Sequence, residues 1–175
     1  FSFNVIAEST SPSPLMFFGL KVRPTGIVTS MSNMFHSGVA AIDGVIDGPD
    51  GTSFGTLSTV AGAVTKLAFA TQPGGAVYGS ELNPQPVVKT QDRFGNNSIS
   101  GLGASKTVTL TLTGTGALQG TASLDIGTSA GNGTAAFTNL AVDEFGAGKQ
   151  LTASADGLTP AVSTTFEITK KPLTA

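Results

Sequence analysis

Three carboxylates in the run "DGVIDGPDGT" form the densest group of side chains in this sequence that could bind an ion. Asp43, Asp47 and Asp50 lie within eight positions, with glycines between them. Carboxylate and backbone carbonyl oxygens are the ligands that Ca²⁺ takes in proteins, so this run is a candidate metal site and Ca²⁺ the one candidate cofactor. The spacing does not match an EF-hand loop, and Asp-Gly pairs also form ordinary turns. A calcium site and a series of turns are the two interpretations of this run.

Candidate catalytic groups are few in this chain. His36 is the single histidine, so a Ser-His-Asp triad would need it beside a carboxylate, and a zinc site built on histidines is excluded by number. Cysteine is absent, which excludes disulfides and a thiolate nucleophile. Asp143 and Glu144 are adjacent, but neighbours on a strand point to opposite faces, so we expect a solvated turn there rather than an acid–base pair. We predict that the protein is not an enzyme.

Charge is scarce and scattered along the chain. Charged residues make up 11% of the sequence, against about 25% in an average soluble protein, and the net charge is −2. Without a basic stripe we expect no nucleic-acid partner, and without an apolar run of ~20 residues we expect no membrane span. Low charge with heavy Gly, Ser and Thr usage favours an extracellular or cell-surface location. The chain opens on Phe1 without a basic and apolar leader, which favours a mature or cut product.

The elements that would position these groups are short β-strands. The clearest is "KTVTLTLTGTG", residues 106 to 116, in which Val108, Leu110 and Leu112 alternate with threonines and predict one buried and one wet face. Further strands are predicted over 66 to 73, 85 to 92, 118 to 126, 134 to 142, 149 to 156 and 161 to 170. Seven strands between 66 and 170 match an all-β sandwich.

Two local features refine this prediction. Asn132 and Gly133 are a hairpin-type turn signal, because both residues tolerate positive φ. The last strand is predicted to carry four residues on one face: Val162, Thr164, Phe166 and Ile168.

The segment "PVVKTQDRFGNNSISG", residues 86 to 101, ends one of these strands in a polar loop. Asp92 can accept hydrogen bonds from backbone N–H groups ahead of it, Gly95 can take positive φ, and Asn96 tolerates the left-handed region. A tight turn at one end of the sandwich explains this pattern better than a loop that holds a metal or a sugar.

Several of these runs resemble bacterial immunoglobulin-like domains, the repeats of invasin- and intimin-type surface proteins. The resemblance covers residues 66 to 170 and is carried by "V-x-x-Q-D-x-x-G-N", "NGTAAFTNLAV", "KQLTASADG" and "STTFEI". It implies a seven-stranded immunoglobulin-like β-sandwich and a role as a spacer or adhesive module. The chain departs from the family at Asn97-Ser98, where those domains often place Pro and then an apolar residue.

A covalent cross-link is a further option, because some surface domains of immunoglobulin-like fold join a buried Lys to an Asn or Asp beside an acid. Lys66 or Lys89 with Glu167 could supply two parts of such a site. The bond would lower the intact mass by one ammonia or one water, and an unchanged mass is the expected result.

The first 64 residues do not follow the pattern of the sandwich. Ile27, Met31, Met34 and Phe35 follow helix-like intervals between two glycines, which predicts at most a short helix. The rest is predicted to be mostly β or irregular. A region with this much Gly and Pro rarely builds a core alone, so we expect it to pack on the sandwich or on another subunit.

Two apolar segments of this region are predicted to contact a neighbouring subunit, because an extended apolar segment can add as a strand to a sheet edge. The first candidate for this contact is the segment with Phe1, Phe3, Val5 and Ile6, and the second candidate is the segment with Leu15, Phe17, Phe18 and Leu20. We therefore predict three regions: an N-terminal extension or small subdomain over 1–64 that includes the subunit contact, a sandwich over 65–171 and a tail over 172–175.

The predicted function is that of a non-catalytic structural protein, a subunit or repeat of a cell-surface filament, stalk or layer. Its partners would be copies of itself or neighbouring domains of a longer surface protein. The alternative is an adhesin-type binding module that recognises a surface ligand through its loops, and a long loop with aromatic or Arg anchors would be its sign. The available loops, 74–84, 93–105 and 127–133, are mostly Gly, Ser and Asn.

Overall fold

The computed structural model describes Ser32–Asn33, Thr56–Leu57 and residues 60–172 of a chain that divides into two units, Phe1–Thr59 and Val60–Ala175. In the first unit, strand β1 (Ser32–Asn33) pairs antiparallel with strand β2 (Thr56–Leu57). The short helix predicted from the spacing of Ile27, Met31, Met34 and Phe35 is therefore wrong at Ser32–Asn33, which form a strand. A few periodic apolar residues leave helix and strand open, and pairing with a second segment decides for the strand.

The second unit, called the C-terminal unit below, is built from short strands. Its described residues form β3 (Val64–Thr71), β4 (Ala76–Val77), β5 (Val87–Asp92), β6 (Thr107–Thr113), β7 (Leu118–Gln119), β8 (Ser123–Asp125), β9 (Thr134–Ala136), β10 (Ala141–Val142), β11 (Gly146–Ser154), β12 (Ala161–Val162) and β13 (Phe166–Thr169). The described residues contain no helix, which confirms the all-β prediction for them. It follows that none of them belongs to a helix of the length and apolarity that crossing a bilayer requires.

The strands are arranged in several sheets. One sheet has three strands in the order β3-β5-β9, and a larger one has the order β4-β13-β11-β6-β8, with β12 also paired to β11. Strands β7 and β10 form a separate pair. All of these pairs are antiparallel except β4 with β13, which is parallel. The arrangement is consistent with a β-sandwich.

The core lies where the two larger sheets contribute their apolar faces. On β6 the predicted alternation is confirmed, since Val108 and Leu110 are buried and Thr107 and Thr111 are exposed. The buried apolar residues form one cluster: Leu67, Leu82, Val88, Val108, Leu110, Ile126, Ala135, Phe137, Leu140, Val142, Leu151, Ala153, Phe166 and Ile168. Because both sheets supply members, this shared core holds the C-terminal unit together.

The last predicted strand is broken into β12 and β13. Phe166 and Ile168 are buried, but Val162 is 59% exposed, so the prediction of one common face is wrong. Ser163 turns inward instead, where its hydroxyl accepts a hydrogen bond from Leu151 N (2.9 Å) and donates one to Thr164 O (2.7 Å). This local side-chain bonding competes with the regular ladder and shifts the alternation.

The Asn132–Gly133 turn has the predicted backbone but a different role. Asn132 has φ of 46° and Gly133 has φ of 77°. The turn leads from β8, which pairs with β6, to β9, which pairs with β5, so it crosses between sheets and does not close a hairpin. A side chain at Gly133 would meet Ile99 and Thr90 at 2.7 Å, so only glycine fits there.

The chain passes through the C-terminal unit from one end to the other. A parallel bridge joins Lys66 to Thr159, and β4 runs parallel to β13, so the first and last segments point the same way. The chain therefore enters beside Asp92, whose carboxylate binds Gly62 N, and leaves beside Tyr78, whose N–H binds Thr169 O. We call the first the Asp92 end. We call the second the Phe145 end, because Phe145 lines a pocket together with Tyr78 there.

Candidate functional site

Asp92 organises the loops at the end where the chain enters. This residue is 1% exposed and closes β5. Its Oδ1 accepts hydrogen bonds from Phe94 N (2.9 Å) and Asn96 N (3.0 Å). Its Oδ2 accepts bonds from Gly62 N (2.9 Å) and Asn96 Nδ2 (2.9 Å). One carboxylate thus fixes its own turn and the segment that enters the unit.

These contacts control the ionisation of Asp92. Burial alone would raise the pKa of the carboxyl, but hydrogen bonds from the Asn96 side chain and from the N–H groups of Gly62, Asn96 and Phe94 lower it to about 2. The ordinary value is 3.8, so the ionised form is favoured in the folded protein. The predicted turn is confirmed in its Asp92 contacts and in the positive φ of Gly95, whereas Asn96 does not use the left-handed region.

Ser98 is a second buried polar residue of this loop. It is 8% exposed, and its hydroxyl donates to Gly62 O (2.5 Å) while it accepts from Ser100 N (3.1 Å). The hydroxyl ties the same entering segment that Asp92 holds. An apolar side chain at position 98 would leave the Gly62 carbonyl without this partner.

Two further aspartates hold loops in the same manner. Asp125 accepts bonds from Lys106 N (2.9 Å), Gly127 N (2.7 Å) and Ser105 Oγ (2.6 Å), and these lower its pKa, led by the Lys106 N–H. Asp143 accepts bonds from Ala117 N (2.6 Å) and Gln119 Nε2 (3.0 Å). These carboxylates accept hydrogen bonds from backbone, amide and hydroxyl donors, and they thereby hold the loops around them.

Lys149 is a buried cation at the other end, which the sequence analysis did not single out. The residue is fully buried on β11, and its Nζ donates to Thr115 O (2.5 Å) and Thr115 Oγ1 (3.0 Å). The pairing of β11 with β13 shifts register between Gly146 and Lys149. The amine therefore fixes the loop that follows β6. This contact lies next to the register shift between β11 and β13.

Three exposed apolar residues lie at the Phe145 end. Val77 is 40% exposed, Tyr78 46% and Phe145 47%. The Lys170 ammonium lies 4.6 Å from the centroid of the Phe145 ring, a cation–π contact. We call Val77, Tyr78 and Phe145 the Phe145 patch.

An open pocket of about 460 Å³ lies at this end. It is lined by Tyr78, Phe145, Asp143, Glu144, Lys170 and Lys171. The lining combines two aromatic side chains with charges of both signs. No sequence pattern predicted it, because Tyr78, Phe145 and Lys170 lie far apart in the chain.

Most of the predicted site residues lie outside the described part of the chain. This applies to the calcium candidates Asp43, Asp47 and Asp50 and to His36. It applies equally to the subunit-contact residues Phe1, Phe3, Val5, Ile6, Leu15, Phe17, Phe18 and Leu20. These assignments stay predictions. Within the described residues, no three His, Asp or Glu side chains gather where they could share a metal ion.

Asp143 and Glu144 follow the expectation of an exposed turn in part. Both residues are exposed, just after β10, and both line the pocket at the Phe145 end. Asp143 is tied to Ala117 and Gln119, so the two carboxylates have different environments.

Neither of the two lysines predicted as cross-link candidates is buried. Lys66 and Lys89 are half-buried on β3 and β5, and Glu167 is exposed on β13, in the other large sheet. A cross-link needs a buried amine, and among the described lysines Lys149 alone is buried. Its amine contacts Thr115 oxygens, which cannot form an amide with it.

Comparison with known proteins adds no assignment. The sequence matches no model of a protein family, and no curated protein matches it either.

Proposed function

We propose that this protein is a non-catalytic structural subunit or repeat of an extracellular filament, stalk or surface layer, and that it assembles by β-strand addition of its N-terminal segment. Copies of the chain, or neighbouring domains of a longer surface protein, are its partners. The observation that carries the proposal is the path of the chain, which enters the C-terminal unit at the Asp92 end and leaves it at the Phe145 end. A module with this path extends a string of modules in line.

The finer fold that belongs to this proposal is an immunoglobulin-like sandwich. Strands β3, β5 and β9 share one sheet and β6, β11 and β13 the other, which is the division of A, B, E and C, F, G strands in that fold. The remaining described strands are short: β4 beside β13, β7 and β8 between β6 and β9, β10 between β9 and β11, and β12 between β11 and β13. The resemblance of residues 66–170 to surface-protein repeats supports the same arrangement.

The use of carboxylates supports a role without catalysis. Of the four aspartates in the described residues, Asp92, Asp125 and Asp143 each accept backbone N–H bonds that shape loops. A general base instead needs a carboxylate within reach of a substrate proton and a pKa near the working pH. The pKa of Asp92 and of Asp125 is shifted in the opposite direction.

Assembly of the full chain tests this proposal. We expect wild-type protein to sediment as concentration-dependent oligomers, and a variant with Phe1, Phe3, Val5, Phe17 and Phe18 all changed to Ser to remain a monomer. A matched control changes Ser2, Asn4 and Ser13 to Ala and is expected to assemble as wild type does. Assembly of the first variant at wild-type strength would contradict the donor role, and a wild-type monomer at every concentration would contradict the assembly itself.

A second candidate function is that of an adhesin, favoured by one contact at the Asp92 end. Arg93 is exposed, with its guanidinium 4.4 Å from the centroid of the 46% exposed Phe94 ring. Arg and aromatic residues are enriched among residues that dominate binding energy. If this function is correct, beads coated with the protein adhere to cell surfaces, and Arg93→Ala reduces adhesion while Lys171→Ala does not.

A further inference from the structure

Two peptide bonds among the described residues join an asparagine or aspartate to a following glycine, Asn132–Gly133 and Asp156–Gly157. Glycine has no side chain, so its nitrogen can approach the γ-carbon of the residue before it. That approach starts a spontaneous rearrangement of the backbone that needs no partner other than water. In an unfolded peptide an asparagine reacts faster than an aspartate, so the sequence alone would place the change at Asn132.

The fold holds the Asn132–Gly133 bond on both sides. Gly133 is buried, and its N–H donates to Ile126 O (2.9 Å) while its carbonyl accepts from Thr90 N (3.0 Å). Asn132 N donates to Gly127 O (2.7 Å). Attack on the Asn132 side chain would break the Gly133 N–H bond and displace a glycine that has no room for an added methyl group. This site can therefore react only after the region opens locally.

The Asp156–Gly157 bond is held in neither of these ways. Both residues are exposed, and they form the middle of a turn between β11 and β12 in which Leu158 N donates to Ala155 O (3.2 Å). Among the described residues, none accepts a hydrogen bond from Gly157 N, and a methyl group added to Gly157 would meet nothing within 4 Å. The Gly157 nitrogen can therefore move toward the Asp156 side chain without breaking a bond or displacing a neighbour.

The carboxyl group of Asp156 is also without a hydrogen bond. The carboxylates of three other aspartates are occupied by loop contacts: Asp92, Asp125 and Asp143. At Asp156, the contact with Lys106 Nζ (2.9 Å) is made by the backbone carbonyl. Of the four aspartates in the described part of the chain, Asp156 alone has a carboxyl group that accepts no hydrogen bond, and it alone precedes a glycine.

We infer that Asp156 is a site of spontaneous isomerisation to isoaspartate in the folded protein, and that Asn132 is protected from the related deamidation. Gly157 N bonds to Asp156 Cγ, and the carboxyl OH leaves as water with the amide proton, which gives a cyclic imide. Water then breaks the bond between Gly157 N and the backbone carbonyl carbon of Asp156. The chain now runs through Cβ and Cγ, and its composition is unchanged. The fold thereby reverses the order of reactivity that the sequence alone gives.

Asp156→Asn tests the inference in one molecule, because both sites then join an asparagine to a glycine. The full-length variant is incubated at neutral pH, and loss of each amide is followed by mass spectrometry of tryptic peptides 107–149 and 150–170. In the folded protein we expect loss at position 156 to be at least about tenfold faster than at Asn132, because opening of a held segment is unfavourable. In guanidinium chloride, which unfolds the chain, the two rates should become similar.

Wild-type protein gives a direct measurement. Its peptide 150–170 contains Asp156 as the single aspartate and no asparagine, so isomerisation there produces a second form of the same mass. Fragmentation by electron transfer shows whether the backbone of that form runs through the side chain. We expect isoaspartate at position 156 to accumulate in the folded protein while Asn132 keeps its amide.

Three results would overturn the inference. The first is equal or faster loss at Asn132 in the folded Asp156→Asn variant. The second is loss of the Asn132 amide at the same rate in folded and unfolded protein, which would show that the fold gives no protection. The third is folded wild type without isoaspartate at Asp156 after an incubation in which the unfolded chain has formed it.

Discussion

Single buried polar residues decide much of the local structure of this protein. Asp92, Ser98 and Ser163 are buried, and the side chain of each forms hydrogen bonds with backbone groups. Lys149 does the same for Thr115 with a charged amine. Because a buried polar atom without a partner is costly, these four residues fix the positions of the loops that they contact.

Asp92→Asn should lower stability at neutral pH and remove one component of acid unfolding. The folded pKa of about 2 lies below the ordinary 3.8, so the ionised carboxylate stabilises the fold above about pH 4 and this contribution is lost as the pH falls toward 2. Melting temperatures measured from pH 7 to pH 2 should therefore converge for wild type and variant at the acid end.

The control for this titration is Asp156→Asn, since Asp156 is exposed and it is its backbone carbonyl that Lys106 Nζ contacts (2.9 Å). We expect its melting profile to follow wild type. A constant gap between wild type and Asp92→Asn over the whole pH range would show that the charge of Asp92 is not what stabilises the turn.

Lys149 should contribute to stability mainly through its aliphatic stem. Lys149→Ala leaves a cavity under the loop and should cost about 2–4 kcal/mol in the free energy of unfolding. Lys149→Met keeps the stem and should cost less than half of that, because Thr115 is exposed and water can replace the lost amine. Urea unfolding of both variants measures the difference, and equal losses would place the stabilisation in the charge instead.

At the scale of elements, the strands are regular where they face the core and irregular at their ends. Strand β6 keeps strict alternation and pairs with β11 over five consecutive residues. Strands β12 and β13 are interrupted at Ser163, and the β11–β13 pairing shifts between Gly146 and Lys149. The register shift lies at the first residues of β11 and the interruption lies between two short strands, so few ladder bonds are lost.

The break between β12 and β13 predicts that two similar substitutions lower the free energy of unfolding by very different amounts. Ile168 is 1% exposed, so Ile168→Ala should cost about 3 kcal/mol in the free energy of unfolding. Val162 is 59% exposed, so Val162→Ala should cost under about 0.5 kcal/mol. Equal losses in chemical unfolding would mean that both residues face the core, as a continuous strand requires.

At the scale of the whole molecule, the through-going path of the C-terminal unit suits growth in line. In the proposed assembly, the N-terminal segment of one copy contacts a different surface on the next copy. Such heterologous contacts continue into rings or filaments, whereas contacts of one surface with itself stop at a dimer.

Electron microscopy should therefore show particles whose length increases with protein concentration. The variant with Phe1, Phe3, Val5, Phe17 and Phe18 changed to Ser should reduce these to single particles, and the control variant with Ser2, Asn4 and Ser13 changed to Ala should keep them. A population that stops at two-fold dimers at every concentration would contradict growth in line.

The sequence by itself determined the all-β class of the described residues, the strands around Val108 and Val88, and the turn chemistry of Asp92 and Gly95. These features depend on alternation and on residues with special backbone freedom, and both are local properties. The Asp92 turn could be predicted because its donors lie within four residues, apart from Gly62.

Only the tertiary structure decided which sheet each strand joins, that Asn132–Gly133 crosses between sheets, and that Val162 faces water. It also decided that Lys149 is buried and that Tyr78, Phe145 and Glu144 share one end of the unit. These features join residues that are distant in the chain, and a short strand carries no record of its partner. The pairing is settled by how the whole core packs, because burial of one face and satisfaction of its polar atoms are properties of all the strands together.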